Sequence, residues 1–543
     1  MNKKILAFFI CLFLLGIILP IVDGLTIRGN TQYLLAPGRI CKNDEPYVEW
    51  NTSFGTNKVD EGYCVRQTSD GGYILVGLSD TSCWLIKTDN NGNKLWDKRF
   101  GAKEMDWGSS VRPTSDGGYI IAGATESYAD GVRDAWLIKT DSNGNKIWDK
   151  TYGGHNSEKG YSVQQTSDNG YILGGVTYTY GAGKSDAWLM KTDSNGNKIW
   201  DKTFGGAETD EVYSIQVTTD NGYIMTGYTE SYSSGEMDAW LIKTDSNGNK
   251  IWDKTFGGTD NYIARSVKET SDGGYIIGGY MNPPTDDIAN FLIIKTDIDG
   301  NKIWEQTFGG ERSERAYTVE LTSDGGYLLA GTQLGGGFSK HLWLVKTDAN
   351  GNKLWDQQSL YQVPSGQEGY SLQRTSDNGY IITGVTLVYY PDDEYYSDDI
   401  LLLKLSGNQA LETPSKPSGP ANGEVGIEYT YSTSTTDSEG YKIYYNFSWG
   451  DGTYSGWLGP YNSGETASGS HIWEWQGTFY IKVKAKDDPN NDGDLSDGAE
   501  SDWSETTSAR IPKNKEKTLN TQLFNFLQIC QIFYQLIQRC LKL

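Results

Sequence analysis

A tyrosine that follows a tight Asp-Gly-Gly or Asp-Asn-Gly turn recurs along most of the chain and opens an apolar stretch each time. The seven copies are Tyr73, Tyr119, Tyr171, Tyr223, Tyr275, Tyr327 and Tyr380. They are separated by 46, 52, 52, 52, 52 and 53 residues. Periods of this size are typical of propellers, solenoids and other repeat architectures. The repeat therefore limits the fold more than any other feature of the sequence.

Each repeat unit contains four short segments with the composition of β-strands. In the third unit these segments are residues 161–165, 170–175, 187–191 and 198–204. They are rich in β-branched and aromatic residues and are separated by clusters of turn residues. Asn-Gly and Gly-Gly occupy the turns, where hairpins need positive φ angles. We therefore expect four antiparallel strands in each unit, and an all-β fold.

The two ends of the repeat region carry complementary incomplete units. Residues 48–54 have the pattern of a fourth strand that no first strand precedes, and residues 400–404 have the pattern of a third strand that no fourth strand follows. Pairing the two would hide both open sheet edges, which otherwise promote aggregation. The sequence thus predicts a seven-bladed β-propeller over residues 46–405, with the N-terminal strand closing the last blade. An open solenoid is the alternative.

The repeat motif also resembles a known group of proteins. Asp-Gly-Gly-Tyr-Ile followed by Trp-Leu-Ile-Lys-Thr-Asp and a later Trp, as in residues 116–148, is similar to the repeats of bacterial and archaeal secreted β-propellers. The resemblance covers about residues 46–405. It implies a secreted repeat protein and by itself implies no ligand.

Charge and termini narrow the cellular setting. The chain has 543 residues, a net charge of -23 and a pI near 4.6, which argues against nucleic acid and anionic membrane surfaces as partners. Two lysines precede an apolar run from Ile5 to Val22. We interpret residues 1–24 as a signal peptide and 25–45 as an N-terminal extension, with an uncleaved membrane anchor as the alternative. Either places the protein outside the cell or at its surface.

The loops between second and third strands differ from unit to unit, whereas the hairpin turns hardly vary. Variable loops on a rigid scaffold are where binding sites usually occur. Tyrosines give this surface the composition of a glycan-binding or protein-binding surface. The candidate ligand-binding residues are Tyr128, Tyr178, Tyr180, Tyr232, Tyr389, Tyr390, Tyr395 and Tyr396. The other interpretation is that these loops bind no ligand and only form the solvent-exposed edge of the repeat region.

Carboxylates recur just before the first strand of most units. They are Asp60, Asp106, Glu158, Asp210 and Glu314. Because first strands would line the central axis, these side chains are expected to surround one mouth of a channel. Calcium favours several carboxylate oxygens, so a cation site is one hypothesis. The alternative is that each carboxylate accepts hydrogen bonds from its own loop.

The last quarter of the chain, from residue 406 onward, has a different composition and forms a separate predicted domain. Residues 406–419 form a Pro/Ser/Gly linker. Residues 420–512 contain Trp-Gly-Asp-Gly-Thr at 449–453 and a His-x-Trp entry at 471–473, and they resemble PKD-type immunoglobulin-like domains. The resemblance implies a β-sandwich that acts as a spacer or adhesion module. Asp488, Asn490, Asp492 and Asp494 have the spacing of a calcium loop, although position twelve is Ala499, and a solvated acidic turn is the alternative.

Residues 513–543 comprise a charged spacer and a segment with helical periodicity. Apolar residues cover one broad face and glutamines form a narrow stripe. The expected structure is a short amphipathic helix that lies on a membrane or packs against a partner.

These patterns favour an extracellular binding or adhesion protein. The loop surface would recognise a glycan or a protein, and the PKD-like domain would hold it away from the cell envelope. The sequence contains only His155, His341 and His471 as histidines, in unrelated places, and no catalytic residues are assigned. The alternative function is a secreted polysaccharide hydrolase or lyase that uses the acidic channel mouth.

Overall fold

The computed structural model describes residues 46, 48–283, 288–335, 340–358, 366–390, 395–406, 411–437, 441–488, 493, 495, 500–512, 524–532 and 534–535. The expected signal peptide and N-terminal extension, residues 1–45, lie outside this range. Residues 513–523, 533 and 536–543, which belong to the expected spacer and C-terminal helix, also lie outside this range.

The repeat region forms seven antiparallel sheets of four strands each, numbered here as sheets 1 to 7 along the chain. The first strands are β2 (Asp60–Gln67), β6 (Asp106–Pro113), β10 (Glu158–Gln165), β14 (Asp210–Val217), β18 (Asn261–Glu269), β22 (Glu314–Leu321) and β26 (Gln367–Arg374). The second strands are β3 (Tyr73–Ser79), β7 (Tyr119–Thr125), β11 (Tyr171–Thr177), β15 (Tyr223–Thr229), β19 (Tyr275–Asn282), β23 (Tyr327–Leu334) and β27 (Tyr380–Tyr390).

The third strands are β4 (Ser82–Thr88), β8 (Asp134–Thr140), β12 (Asp186–Thr192), β16 (Asp238–Thr244), β20 (Asn290–Thr296), β24 (Lys340–Thr347) and β28 (Tyr395–Leu405). The fourth strands of sheets 1 to 6 are β5 (Lys94–Phe100), β9 (Lys146–Tyr152), β13 (Lys198–Phe204), β17 (Lys250–Phe256), β21 (Lys302–Phe308) and β25 (Lys353–Gln358). Sheet 7 takes its fourth strand from the other end of the chain, β1 (Val48–Phe54).

The pairing of β1 with β28 is the one expected from the incomplete end units. The strands run antiparallel, with Asn51 opposite Leu403 and Ser53 opposite Leu401. Val48 and Phe54 of β1 are each only 4% exposed. Apolar residues at both ends of β1 are therefore buried in contact with sheet 7 and its neighbours.

Burial explains why second and third strands read as continuous apolar runs. In β11 and β12 every residue is buried, because neighbouring sheets cover both faces. The fourth strand β13 has four exposed and three half-buried residues, as an edge strand should, and its exposed residues are Lys198, Ile199, Lys202 and Thr203. Hydrophobic clusters accordingly join each sheet to the next one, for example β12 and β16 through Leu189 and Trp240.

The sheets are packed in series, and the last one also contacts the first. Ser162 Oγ in β10 accepts a hydrogen bond from the Ile215 amide of β14 at 3.3 Å. The equivalent bond between sheets 7 and 1 joins the Val65 amide to Ser371 Oγ at 3.4 Å. First strands of neighbouring sheets thus lie side by side along the whole series.

The expected fold class requires a correction. Hydrogen bonding divides the repeat region into separate four-stranded sheets, each of which ends at its own edge strands, and none is closed or curled. The prediction of a seven-bladed β-propeller is therefore wrong as an assignment of fold class. The observed arrangement is a repeated, sandwich-like or solenoid-like packing of separate antiparallel sheets. The strand pattern was predictable because hairpin turns and apolar runs are local, whereas sheet packing is not.

The C-terminal domain contains two further sheets that share one core. Its strands are β29 (Glu428–Thr433), β30 (Lys442–Ser448), β31 (Leu458–Tyr461), β32 (Ala467–Ile472), β33 (Gly477–Asp488) and β34 (Thr507–Ile511). One sheet pairs β29 with β32, and the other has the order β31-β30-β33-β34. Trp449 and Trp473 are each 1% exposed within the core. Two sheets over an aromatic core give a β-sandwich.

Residues 524–532 near the C-terminus are helical. Phe524, Phe526 and Leu527 are all more than half exposed, so this segment has no packed apolar face in the described structure. Among the described residues, no helix has both the length and the apolar composition needed to cross a membrane.

Candidate functional site

Three of the predicted binding tyrosines occupy the same place in successive sheets. Tyr128, Tyr180 and Tyr232 follow the second strands of sheets 2, 3 and 4, and they are 44%, 39% and 48% exposed. We call these three residues the tyrosine platform. Each ring contacts a buried tryptophan of its own sheet, with centroids 5.6–6.1 Å apart. One ring face is therefore supported while the other side of the ring meets solvent.

Hydrogen bonds fix two members of the platform further. The Tyr180 hydroxyl donates to the Gly153 carbonyl at 2.6 Å, and the Tyr232 hydroxyl donates to the Gly205 carbonyl at 2.6 Å. Both acceptors follow the fourth strand of the preceding sheet. The aromatic rings are thus held by contacts with two sheets, which lowers the entropy that binding a ligand would cost.

The remaining predicted tyrosines have other surroundings. The Tyr178 hydroxyl lies 3.3 Å from Glu211 of the next sheet. Tyr389 and Tyr396 face each other across β27 and β28 with ring centroids 5.0 Å apart. Tyr390 donates to Asp399 at 2.7 Å. The side chain of Tyr395 lies outside the described structure.

The predicted carboxylate ring is not at a channel mouth. Asp60, Asp106, Glu158 and Asp210 are 0% exposed and Glu314 is 1% exposed. None of them lines the cavity described below. The prediction that they surround an opening is therefore wrong, because each side chain turns back into its own loop.

Hydrogen bonds from the preceding loop, and from the second strand or the loop after it, account for these carboxylates. Asp210 accepts from the Gly206 amide at 2.9 Å and from the Ser231 hydroxyl at 2.6 Å. Glu158 accepts from the Gly154 amide at 2.9 Å and from the Thr177 hydroxyl at 2.9 Å. The two amide bonds match the alternative in which each carboxylate accepts from its own loop, and the two hydroxyl bonds join that loop to the second strand and the loop after it.

Calcium binding at these carboxylates stays a prediction. In the part of the chain that the structure describes, no three His, Cys, Asp or Glu side chains cluster as a metal site would require. In the candidate calcium loop of the C-terminal domain, Asp488 accepts a hydrogen bond from the Gly493 amide at 2.9 Å. Asn490, Asp492 and Asp494 lie outside the described residues.

A polar cavity of about 180 Å³ lies where the first strands of all seven sheets meet. We call it the central cavity. Aromatic rings form much of its wall, with Tyr161 against Tyr213 at 5.1 Å and Tyr317 against Tyr370 at 5.2 Å between centroids. Its charged lining residues are Arg66, Arg112, Arg265 and Lys268. Its lining contains no carboxylate among the described residues.

Two positions of this wall depart from tyrosine, and one of the two carries a charge. The residue that faces the cavity in successive first strands is Tyr63, Ser109, Tyr161, Tyr213, Arg265, Tyr317 and Tyr370. The guanidinium of Arg265 lies 4.1 Å from the centroid of the Tyr213 ring and donates to the Tyr280 hydroxyl at 3.2 Å. The aligned sequence repeats displayed this substitution, yet gave no reason to single it out. Only the cavity shows that a cation replaces a tyrosine there.

Protonation keeps the tyrosines of the cavity as hydrogen-bond donors. Burial raises the pKa of Tyr317 to about 12 and raises the pKa of Tyr161 still further. Their hydroxyl groups therefore stay neutral over the physiological pH range. The cavity combines fixed positive charge with neutral donors, which is chemistry suited to binding an anion.

Comparison with known proteins gives limited matches. No family model matches the chain. Over 141 residues the chain is 25% identical to Regulatory protein FlaEY of Caulobacter vibrioides, and the match covers 22% of this chain and 15% of that protein. The chain therefore spans only about 15% of the length of that curated relative.

A solved structure matches a smaller part of the chain at higher identity. It is the PKD domain of an M14-like peptidase from Thermoplasmatales archaeon SCGC AB-540-F20. The match is 40% identical, covers 20% of this chain and 99% of that domain, and has a TM-score of 0.17. The chain thus has a structural neighbour among PKD domains, alongside a repeat-rich all-β region.

Proposed function

We propose that this protein is a secreted or cell-surface binding protein whose loop surface recognises an extracellular glycan or protein. The observation that carries the proposal is the tyrosine platform. Rigid, half-exposed tyrosines at matching places in three successive sheets offer a repeated aromatic contact surface. Such rings supply large contact area at low conformational cost.

Further features fit an extracellular role. Two lysines and an apolar run begin the sequence, as in secretory signals, and the net charge of -23 is compatible with a soluble surface protein. The PKD-like domain would act as a spacer between the repeat region and the envelope. The apolar residues of the helical segment 524–532 would provide a contact with a membrane or partner.

The hydrolase or lyase alternative has weaker support. It would use Glu158 or Asp210 as an acid or base, and both side chains are buried and bonded to their own loops. A glycosidase instead needs two carboxyl groups that reach the same substrate bond. We therefore favour binding without turnover.

The test measures binding of the full chain to a glycan array and to intact cells. The combined variant Tyr128→Ala/Tyr180→Ala/Tyr232→Ala is expected to reduce binding by about tenfold or more, because interface tyrosines often contribute over 1 kcal/mol each. The matched control is Tyr454→Ala/Tyr480→Ala, which removes two exposed tyrosines of the C-terminal domain.

Treatment of the cells identifies the class of ligand. Periodate should abolish binding to a glycan, whereas protease should abolish binding to a protein. Equal binding by the platform variant and the wild type, with both proteins folded, would contradict the proposal. Release of reducing sugar by the wild type, lost in Glu158→Gln, would favour the enzyme instead.

A further inference from the structure

The central cavity has a charge opposite to that of the whole protein. The chain carries a net charge of -23, yet four basic residues and no described carboxylate line this cavity. In a protein with this excess of acidic residues, a cavity lined without regard to charge would be expected to include carboxylates. The segregation of positive charge into one cavity therefore indicates a specific electrostatic task.

Arg265 is the centre of this site. Its guanidinium contacts the rings of Tyr213, Tyr280 and Tyr317 at 4.1, 5.6 and 6.0 Å from their centroids. These tyrosines belong to sheets 4, 5 and 6. Within the described residues, Arg265 forms no ion pair, and its buried Nε has no hydrogen-bond partner. Arg265 is half-buried, and a charge that is partly removed from water without a counter-charge is destabilising, so a negative partner is expected in the cavity.

A second arginine of the cavity also has a hydrogen-bond donor without a partner. Arg66 Nε is also buried without a hydrogen-bond partner in the described part of the chain. One of its terminal nitrogens lies 3.3 Å from the Ser371 hydroxyl. Lys268, in contrast, is neutralised by Glu320 at 2.8 Å. Two of the cavity cations thus retain donors for a ligand.

Neutral donors surround these cations. In the described structure, the hydroxyl groups of Tyr161, Tyr213 and Tyr317 make no hydrogen bond to protein. A guanidinium with adjacent hydroxyl donors matches the geometry of carboxylate and phosphate oxygens. The volume of about 180 Å³ is below the usual range for drug-sized ligands, so the ligand is small.

We propose that the central cavity binds a small oxyanion, of the carboxylate or phosphate class, and that Arg265 is its principal contact. This site is separate from the tyrosine platform, and it uses first-strand residues that the platform does not include. The two proposals therefore succeed or fail independently.

The repeats themselves provide the variant for the test. Arg265→Tyr restores the residue found at this position in five of the other six sheets, so it is expected to fold. Removing a half-buried charge that has no ion-pair partner among the described residues should leave the melting temperature of the anion-free protein unchanged or raised. Arg265→Lys keeps the charge but not the planar donor pair. Arg510→Gln, an exposed arginine of the C-terminal domain, is the matched control.

Titration calorimetry and thermal melting of the full chain would use phosphate, sulfate, acetate and succinate at constant ionic strength with chloride. The wild type and Arg510→Gln are expected to bind at least one of these anions and to melt at a higher temperature in its presence. Arg265→Tyr should bind it about tenfold or more weakly, and Arg265→Lys should be intermediate. The four anions distinguish phosphate chemistry from carboxylate chemistry.

Two results would overturn the proposal. One is the absence of a saturable binding heat for the wild type with all four anions at millimolar concentration. The other is equal affinity of Arg265→Tyr and the wild type. Loss of glycan or cell binding by the platform variant has no bearing on either result.

Discussion

At the scale of single residues, the repeat owes much of its order to a buried lysine. The third strand of every sheet contributes a lysine that is at most 7% exposed, and its Nζ bonds the aspartate of the first hairpin turn. The pairs are Lys87–Asp70, Lys139–Asp116, Lys191–Asp168, Lys243–Asp220, Lys295–Asp272, Lys346–Asp324 and Lys404–Asp377. Sequence reasoning assigned these residues to strands and turns, and it did not predict their pairing.

We predict that Asp168→Ala destabilises the repeat region. The change leaves the buried Lys191 ammonium with the Thr192 carbonyl, at 3.1 Å, as its one remaining hydrogen-bond partner among the described residues. Leaving the buried lysine without its carboxylate partner should lower the free energy of unfolding by about 3 kcal/mol. Chemical denaturation measures the change. Lys198→Ala breaks only the exposed pair with Asp201 and should cost less than about 1 kcal/mol.

The stability that the Lys191–Asp168 pair contributes should decrease at low pH. Burial acts to raise the pKa of Asp168, but hydrogen bonds from Thr166 and Lys191 outweigh it and lower the pKa to about 2. The unfolded chain binds the proton more tightly, so the contribution of the pair is present above about pH 4 and is lost as the pH falls toward 2. Equal losses of stability in Asp168→Ala and Lys198→Ala would show that pairing with the buried Lys191 has no special role.

Asp399 should change the pH dependence of stability in the opposite direction to Asp168. Burial raises its pKa to about 7, with Asp60 and Asp398 adding to the shift, while the hydrogen bond from Tyr390 opposes it. The native state then binds the proton more tightly than the unfolded chain, so stability falls as the pH rises from about 4 to about 7. We predict that Asp399→Asn stabilises the protein by on the order of 2 kcal/mol at about pH 8.

Denaturation curves at two pH values test this prediction. The difference between Asp399→Asn and the wild type should vanish below about pH 3, where the carboxyl is protonated in both states. Tyr390→Phe is a useful companion, because it removes the hydroxyl that donates to Asp399. A difference that does not depend on pH would contradict the assignment.

At the scale of elements, the hairpin between third and fourth strands joins one sheet to the preceding one. Asp193 accepts hydrogen bonds from the Asn195 and Asn197 amides at 2.9 and 2.8 Å, which closes the turn. Gly196 adopts a φ of 76°. A Cβ atom at Gly196 would lie 2.7 Å from the Trp148 ring of the preceding sheet. The glycine is thus needed for both conformation and packing.

Two glycine variants separate these requirements. Gly117 has a similar φ of 81°, yet a Cβ there would contact nothing within 4 Å. Gly117→Ala should cost only the left-handed backbone penalty of about 1 kcal/mol. Gly196→Ala should cost about 1–3 kcal/mol more, because the tryptophan must move. Thermal or chemical denaturation measures both, and equal costs would mean that the ring moves away freely.

The hairpins were the most predictable elements of the fold. The Asp-x-Asn-Gly-Asn sequence at 193–197 specifies its turn through contacts within five residues. Local chemistry of this kind can be read from the sequence. The contact of Gly196 with Trp148 joins residues 48 positions apart, and the turn sequence contains no sign of it.

At the scale of the whole molecule, the pairing of β1 with β28 joins the ends of the repeat region. We predict that a chain starting at residue 56 loses about 4 kcal/mol of stability, because Val48 and Phe54 no longer bury their side chains. It should also aggregate, since β28 would become an open edge. Denaturation and light scattering measure the two effects.

A chain starting at residue 46 keeps β1 and is the matched control. Addition of a synthetic peptide covering residues 46–56 should restore part of the lost stability to the shorter chain. Identical unfolding curves for the two truncated chains would show that β1 contributes nothing to the packing of sheet 7.

The sequence by itself determined the repeat unit, its four strands, its turns and the matching of the two end strands, because these depend on apolar patterning and on turn chemistry over a few residues. It also indicated a separate β-sandwich domain. Tertiary structure decided the packing of the sheets, and it turned the predicted carboxylate ring inward to cap its own loops. It also decided the meaning of Arg265, whose aromatic surroundings come from sheets 4, 5 and 6. Such contacts depend on how distant units pack, and packing is a property that no single repeat contains.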